Sequence, residues 1–365
     1  MYTEIAKIIE GGLLKDSKKV YNYANHLVKK LQEDGENRFA ERIIKILAGG
    51  TGGTPVYKDE LFNIPVDTET RLSIADIIIP DKNDVTHLVL SDSVNESISN
   101  FIDIVNNKSK FDEIGLEINA SLLLYGPPGC GKTSIAKYIA NKLDLPIIIA
   151  RFDSLISSLL GSTSKNIRSL FEYANSKPCI LFLDEFDAIA KNRNDQQELG
   201  ELKRIINSLL QNIDQYLTNN ILIAATNHHE LLDDAIWRRF QQVIEIDRPS
   251  IDEICYMIDK LTQNVSSEIN SDNKKKQIIA ENMLSLSNSE VKKIINNVIS
   301  KSIIRNTEFV SIEDFLVEIF KYKQNYNITQ ESTMKFLHEN GISQNAISSY
   351  YNISIRQVRN LINPK

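Results

Sequence analysis

Between residues 121 and 246 the chain alternates short apolar runs with segments of helical periodicity. The runs are 121–125, 146–150, 179–184, 221–225 and 242–246, and the helix-periodic stretches between them fall at about 132–142, 164–175 and 199–216. Strands that are apolar at nearly every position must be covered on both faces, so this pattern predicts a parallel sheet sandwiched by helices, an α/β fold. From 250 to 323 strand character disappears and consecutive amphipathic helices follow, with Ser250 placed to cap the first of them. Residues 328–365 predict three short helices, 333–339, 343–350 and 354–362, with Gly341 and Asn352 in the turns. In this last segment Ala346, Ile347, Ile353, Ile355, Val358, Leu361 and Ile362 are the expected core.

Before the sheet, residues 1–48 carry two helical stripes. One is Val20, Tyr23, Ala24, Leu27, Val28 and Leu31; the other is Phe39, Ile43, Ile44 and Leu47. The Gly-rich stretch that follows reads as a flexible tether. The expected organisation is a helical module over 1–48, a linker over 49–69, a large α/β subdomain over 70–249, an all-α lid over 250–325 and a small tail over 328–365.

Composition narrows the picture modestly. A hydrophobic fraction of 42% supports a packed core. A net charge of −6 argues against a surface coated in positive potential for nucleic acid. Cys130, Cys179 and Cys255 are far apart and outside any paired spacing, so neither a disulfide framework nor a zinc site is indicated. The adjacent His228 and His229 lack an acidic or Cys partner and predict no transition metal. No apolar run approaches the ~20 residues needed to cross a bilayer, and the start lacks a signal-peptide pattern. These features lead us to expect a soluble cytoplasmic protein.

The chemistry begins at Gly126-Pro127-Pro128-Gly129-Cys130-Gly131-Lys132-Thr133, followed by Ser134 and set between a strand and a helix. Glycines let successive backbone N–H groups turn inward on an anion, Lys132 can reach the β/γ-phosphates, and the Thr133 hydroxyl can ligate Mg²⁺. A Gly-rich turn opening a helix is the plain alternative, and the strand–loop–helix context argues against it. Cys130, inside the loop, suggests that alkylating its thiol would block nucleotide. Downstream, an apolar run ends in Asp184-Glu185, two carboxylates at a strand's C-terminal edge, where open α/β sheets bind ligands. Asp184 would hold Mg²⁺ and Glu185 would polarise the attacking water. Asn227 closes the next strand, where it can orient that water or sense the γ-phosphate. Arg238 and Arg239 follow, with planar forks suited to phosphate oxygens.

In this order and approximate spacing, loop 126–133, Asp184-Glu185, Asn227 and Arg238/Arg239 resemble the AAA+ ATPases. The likeness is to the branch of FtsH-, katanin- and spastin-type motors, over about residues 70–323. It implies ATP hydrolysis with Mg²⁺, a homo-oligomeric ring, usually a hexamer, and arginine fingers reaching a neighbouring subunit's nucleotide. In the familiar pattern Pro-Gly separates the two arginines; here they are adjacent, which leaves open which one touches phosphate. Asp187 matches the second acidic residue of the family's strand end. Residues 286–291 resemble the lid segment that closes over adenine, without the family's usual glycine. Leu159-Leu160-Gly161 stands where such rings carry a substrate-threading loop, with leucine in place of the aromatic, and a second pore-facing segment would fall near 200–204. An ordinary packing loop is the alternative at 159–161.

The tail looks like a helix-turn-helix whose outer face would carry Ser354, Arg356, Gln357, Arg359 and Asn360. Arg and Asn/Gln read guanine and adenine edges, so these are candidate DNA contacts. The alternative is a small trihelical element that packs on the ATPase or binds a protein. The layout as a whole resembles bacterial AAA ATPases found beside a subtilisin-like serine protease, with roles in plasmid maintenance or phage defence. Three functions follow as expectations: a ring that remodels or controls a protein partner, a DNA-bound helper of transposition or replication, and an ATP-dependent assembly switch.

Overall fold

The computed structural model describes residues 73–80, 88–151, 160–188, 199–267, 269, 272–305 and 309–362, together with residue 65 and scattered positions between 5 and 43. At 151, 160–162 and 199–204 it describes the backbone alone. The linker expected at 49–69 lies outside these residues apart from Pro65, and so do Val20, Ile44, Leu47 and Leu159.

Six strands form one sheet: β1 (Asp76–Ile78), β2 (Ser121–Tyr125), β3 (Ile147–Arg151), β4 (Ile180–Asp184), β5 (Ile221–Thr226) and β6 (Gln242–Glu245). Their order across the sheet is β1-β3-β4-β5-β2-β6. All neighbours run parallel except β1, which pairs antiparallel with β3 at the edge. The helices of this part are α1 (Asp92–Asn106), α2 (Lys108–Glu113), α3 (Lys132–Leu143), α4 (Leu160–Asn175), α5 (Leu199–Tyr216) and the short α6 (Asp234–Trp237).

Alternate strand residues feed two separate cores, because successive side chains of a strand point to opposite faces. Leu122, Leu124, Ile180, Phe182, Ile223 and Ala225 pack with Ile98 and Phe101 of α1 and Ile135 and Ile139 of α3. Leu123, Leu181, Leu183, Leu222 and Ala224 pack on the other face with Ile167, Leu170 and Phe171 of α4 and Leu209 and Ile213 of α5. The sandwich expected from the apolar runs is therefore present, with helices on both faces. Antiparallel β1 was not among the expected strands: three residues at an edge carry too little pattern to be read locally.

The lid contains α7 (Ile251–Leu261), α8 (Asn273–Glu281), α9 (Asn288–Ile304) and α10 (Ile312–Lys323). Ser250 caps α7 in a reciprocal box with Glu253, as its position suggests. Two residue pairs depart from the all-helical expectation. Strands β7 (Ser266–Ser267) and β8 (Phe309–Val310) form a two-residue parallel bridge, to which Ser267 Oγ adds a hydrogen bond on Val310 O at 3.2 Å.

The tail helices are α11 (Gln330–Glu339), α12 (Gln344–Tyr351) and α13 (Ile355–Ile362). Their turns carry Gly341 (φ +84°) and Asn352 (φ +53°), both left-handed. Met334, Leu337, Ile342, Ile347, Val358 and Ile362 share one continuous buried cluster with lid residues such as Ile279, Met283, Phe315 and Ile319. Phe320 of α10 stacks on Phe336 of α11 at 4.6 Å, Asn282 Nδ2 donates to Asn340 Oδ1 at 2.5 Å, and Tyr350 donates to Asp314 Oδ1 at 3.0 Å. Ile355, expected in the tail core, is 39% exposed because it begins α13 on its outer side.

In the N-terminal region Ala24, Leu27, Val28, Leu31 and Ala40 are buried together, with Ile43 packed against them. Phe39, read as part of the second stripe, is 55% exposed, and Ala40 takes the buried place.

Candidate active site

The sheet order puts β5 between β4 and β2, so three strand ends meet at the carboxyl edge. Loop 126–131 leaves β2, Asp184-Glu185 ends β4, and Asn227 follows β5. This is the crevice in which open parallel sheets bind ligands.

Glycine is required at two loop positions for steric reasons. At Gly126 (φ +139°) a Cβ would collide with Ile246 O, just beyond β6. At Gly129 (φ +78°) it would lie 2.5 Å from Ser289 Oγ and 2.7 Å from Ser287 Oγ, at the start of α9. The loop is thus clasped between the sheet edge and the lid, and Ser289 N donates to Gly129 O at 3.1 Å.

Lys132 is buried, and its Nζ donates to Gly126 O at 2.7 Å and Pro127 O at 2.9 Å. Burial pulls its pKa down, opposed by Asp184 and Asp187 among others. A partly desolvated ammonium folded over its own loop is a ready anion site. Thr133 Oγ1 donates to Asp184 Oδ2 at 2.8 Å, so the two residues expected to hold Mg²⁺ touch. Pro128 is exposed at the loop's tip and Ser134 is half-buried in the first turn of α3.

Glu185 is exposed and sits at φ +55°, a left-handed conformation unusual for a residue with a Cβ. Such strain costs on the order of 1–3 kcal/mol and persists where the surroundings dictate it. Here Glu185 N bonds Asp184 Oδ1 at 3.0 Å and Phe186 N bonds Ala225 O at 2.9 Å, which turn the chain and leave the carboxylate at the crevice. Asp187 is buried and accepts from Thr226 Oγ1 at 3.1 Å and Asn227 N at 3.3 Å. It therefore ties the end of β4 to the end of β5 and fixes the backbone of half-buried Asn227. Thr226 was missed in the sequence, since a Thr ending a strand carries no signal of its own.

The two arginines differ sharply. Arg239 grips Asp214 of α5 with both ends of its fork, Nε to Oδ1 at 2.7 Å and NH2 to Oδ2 at 3.0 Å, and also bonds Ala235 O. Arg238 is exposed, and its guanidinium makes no hydrogen bond or ion pair among the described residues. Next to it, Trp237 packs edge-on against Tyr125, whose ring also meets His229 at 4.7 Å. His228 and His229 are exposed and both lie near Glu230, at 3.0 and 3.6 Å, an acidic neighbour that corrects the expectation of none.

Cys130 is fully buried, and burial raises its thiol pKa. A shielded, protonated thiol is a poor nucleophile, so the alkylation expected from its position is disfavoured.

Other expected site residues lie away from this crevice or beyond description. Leu160 and Gly161 begin α4, residues 200–204 begin α5, and their side chains are outside the described set. In the tail, Ser354, Arg356, Gln357, Arg359 and Asn360 are all exposed. Gln357 is engaged in the cap of α13 with Ser354, and Arg359 donates to Gln344 at 3.0 Å.

Comparison with known proteins agrees with this geometry. Residues 122–248 match the family model described as ATPase family associated with various cellular activities (AAA). An uncharacterised AAA family ATPase, y4kL, of Sinorhizobium fredii is 40% identical over 222 residues, covering 60% of this chain and 66% of that protein. Proteasome-activating nucleotidase 1 of Haloferax volcanii is 39% identical over 168 residues, 44% of this chain and 41% of that one. The ATP-dependent zinc metalloprotease FtsH 3 of Symbiobacterium thermophilum is 36% identical over 167 residues, 44% and 27% respectively. The chain thus spans less than two thirds of the length of these relatives.

The residues present suit Mg²⁺, a hard cation that prefers carboxylate and hydroxyl oxygens and binds with substrate phosphates. Thr133 and Asp184 would hold it, and when bound it neutralises charge on the β- and γ-phosphoryl oxygens.

Proposed function

We propose that this chain, which carries an AAA ATPase domain and hydrolyses ATP with Mg²⁺, works as a homo-oligomeric ring, a hexamer, that acts on a protein partner. Lys132 holds the phosphates, Glu185 polarises the water, and Asn227, anchored through Asp187, aligns it. Arg238 reaches the nucleotide of the next subunit, while Arg239 braces α6 through Asp214.

The observation that carries this reading is the contrast between the two guanidinium groups: one is saturated inside its own chain, the other exposed with no described partner. A planar, permanently charged donor fork held ready in this way suits a transferring phosphoryl group. Exposed apolar residues lend further support. Ile114 is 75% exposed on the large subdomain, and Ile303 and Ile304 are 60% and 79% exposed on the lid, surface that assembly would cover.

The proteins named as proteasome-activating nucleotidase and FtsH metalloprotease favour a protein substrate over other cargo. In this account Leu159-Leu160-Gly161 is the gripping segment. A separately encoded subtilisin-like serine protease in phage defence or plasmid maintenance is the partner suggested by the layout, and co-purification tests it. The second reading, a DNA-bound helper, draws on the exposed Arg356 and Asn360 of α13. Salt-dependent duplex binding that is lost in an Arg356→Ala/Arg359→Ala variant would favour it.

Dilution tests the ring. ATPase rate per subunit should fall as concentration drops below assembly, and a rate independent of concentration would exclude a shared site.

A further inference from the structure

Ser121, the first residue of β2, differs from the strand it opens. Leu122, Leu123 and Leu124 are apolar and fully buried, and Ser121 is equally buried with a hydroxyl to satisfy. Both halves of that hydroxyl are used on one turn of chain. Oγ donates to Arg239 O at 3.0 Å and accepts from Gln241 N at 2.8 Å. Both partners lie outside α6 and β6, so Ser121 supplies the bonds that a helix or a ladder supplies elsewhere.

This turn carries Arg238. Phe240 anchors it in the core, edge-on to Phe186 at 6.3 Å, and the Arg239–Asp214 clamp ties it to α5. Ser121 grips the backbone of the turn itself. The Arg238 guanidinium, without a partner among the described residues, therefore projects from a mount held on three sides.

Because β2 leads into the phosphate loop, a defect in the subunit's own nucleotide site is the obvious expectation for a change at Ser121. Yet the loop leaves the far end of the strand, about 13 Å from Ser121. Ladders to β5 and β6 hold the strand in between. Loss of the hydroxyl leaves those ladders intact and frees only the turn.

We propose that Ser121 is a positioning residue for the next subunit's active site: its hydroxyl fixes the 239–241 backbone that aims Arg238, and its own subunit's nucleotide site does not depend on it. The proposal rests on Arg238 completing a neighbouring site.

The test is complementation among variants of the full chain, with affinity for a ribose-labelled fluorescent ADP measured for each. Ser121→Ala should bind labelled ADP as the wild type does while kcat falls about tenfold or more, since a displacement near 1 Å can cost that much. Mixed equally with Lys132→Ala, whose fingers are intact, it should recover to about a quarter of the wild-type rate per total subunit. Mixed with Arg238→Ala it should recover nothing, because neither variant supplies an aimed finger. The opposite pattern, recovery with Arg238→Ala and none with Lys132→Ala, overturns the proposal and assigns Ser121 to its own nucleotide site. A wild-type kcat in Ser121→Ala overturns it as well. Should Ser121→Ala melt lower and complement neither, Ser121→Cys, which fills the site and keeps a weaker donor, decides. A reduced kcat with the same one-sided recovery supports the role, and any other result refutes it. If Lys132→Ala and Arg238→Ala do not complement each other, the shared site itself is wrong and the proposal falls with it.

Discussion

Leu337→Ala should unfold the lid and the tail together, although Leu337 belongs to the tail alone. Leu337 has no exposed surface and lies in the same buried cluster as Met283, Phe315 and Ile319 of the lid. Removing three carbons from such a site costs about 2–5 kcal/mol, the transfer free energy plus a cavity the neighbours fill incompletely. With a urea slope of ~2 kcal/mol/M, a loss of ~3 kcal/mol moves the midpoint by about 1.5 M. Two probes separate the parts of the molecule. Trp237, the chain's single tryptophan, packs against the core on one face of the α/β sheet, whereas far-UV circular dichroism follows all the helices. The dichroism transition of the lid and tail should therefore shift while Trp237 fluorescence stays where it was. The reasoning is refuted if only a small fraction of helix, that of a three-helix tail, melts early and the rest keeps its wild-type midpoint.

Further tests concern the site and its supports. Asp214→Asn removes one charge of an exposed ion pair, so stability should fall by about 1 kcal/mol or less, read by thermal melting. Its ATPase loss should be smaller than that of Arg238→Ala, which removes the transferred charge itself. Cys130 should label far more slowly with a maleimide than a free thiol at the same pH, followed by mass spectrometry; rapid stoichiometric labelling would contradict its burial. Glu290 accepts from Ser287 N and Oγ, both at 2.7 Å, and from Tyr322, and these bonds hold its pKa below the ordinary value of 4.5. Its contribution is therefore present above pH 4.5 and lost as pH falls through the lower folded value. Glu290→Gln should flatten that acid limb of the lid's unfolding curve, and an unchanged limb would assign it to other carboxylates.

Much of the fold was legible because its signals are local. Apolar runs and helical periodicity place the five parallel strands and α3, α4 and α5 within a few residues, and the phosphate loop and Asp184-Glu185 are contiguous motifs. What the sequence hid is relational. The pairing of β1 with β3 joins residues about seventy positions apart and leaves no periodic trace. The Arg239–Asp214 clamp spans 25 residues, so nothing near Arg238-Arg239 distinguishes the two arginines until the fold brings Asp214 beside one of them. The tail's helices and turns could be read, yet their merger with the lid core could not, since an apolar face does not declare its partner.

The central claim is that each active site is completed by Arg238 of a neighbouring subunit. Mixing two inactive variants tests it most directly. Lys132→Ala cannot hold nucleotide but keeps Arg238; Arg238→Ala binds nucleotide but lacks the finger. In an equal mixture about half of the competent sites face an intact Arg238, so ATPase should return to about a quarter of the wild-type rate per total subunit. A mixture as inactive as its components, under conditions where electron microscopy shows mixed assemblies, would contradict the shared site.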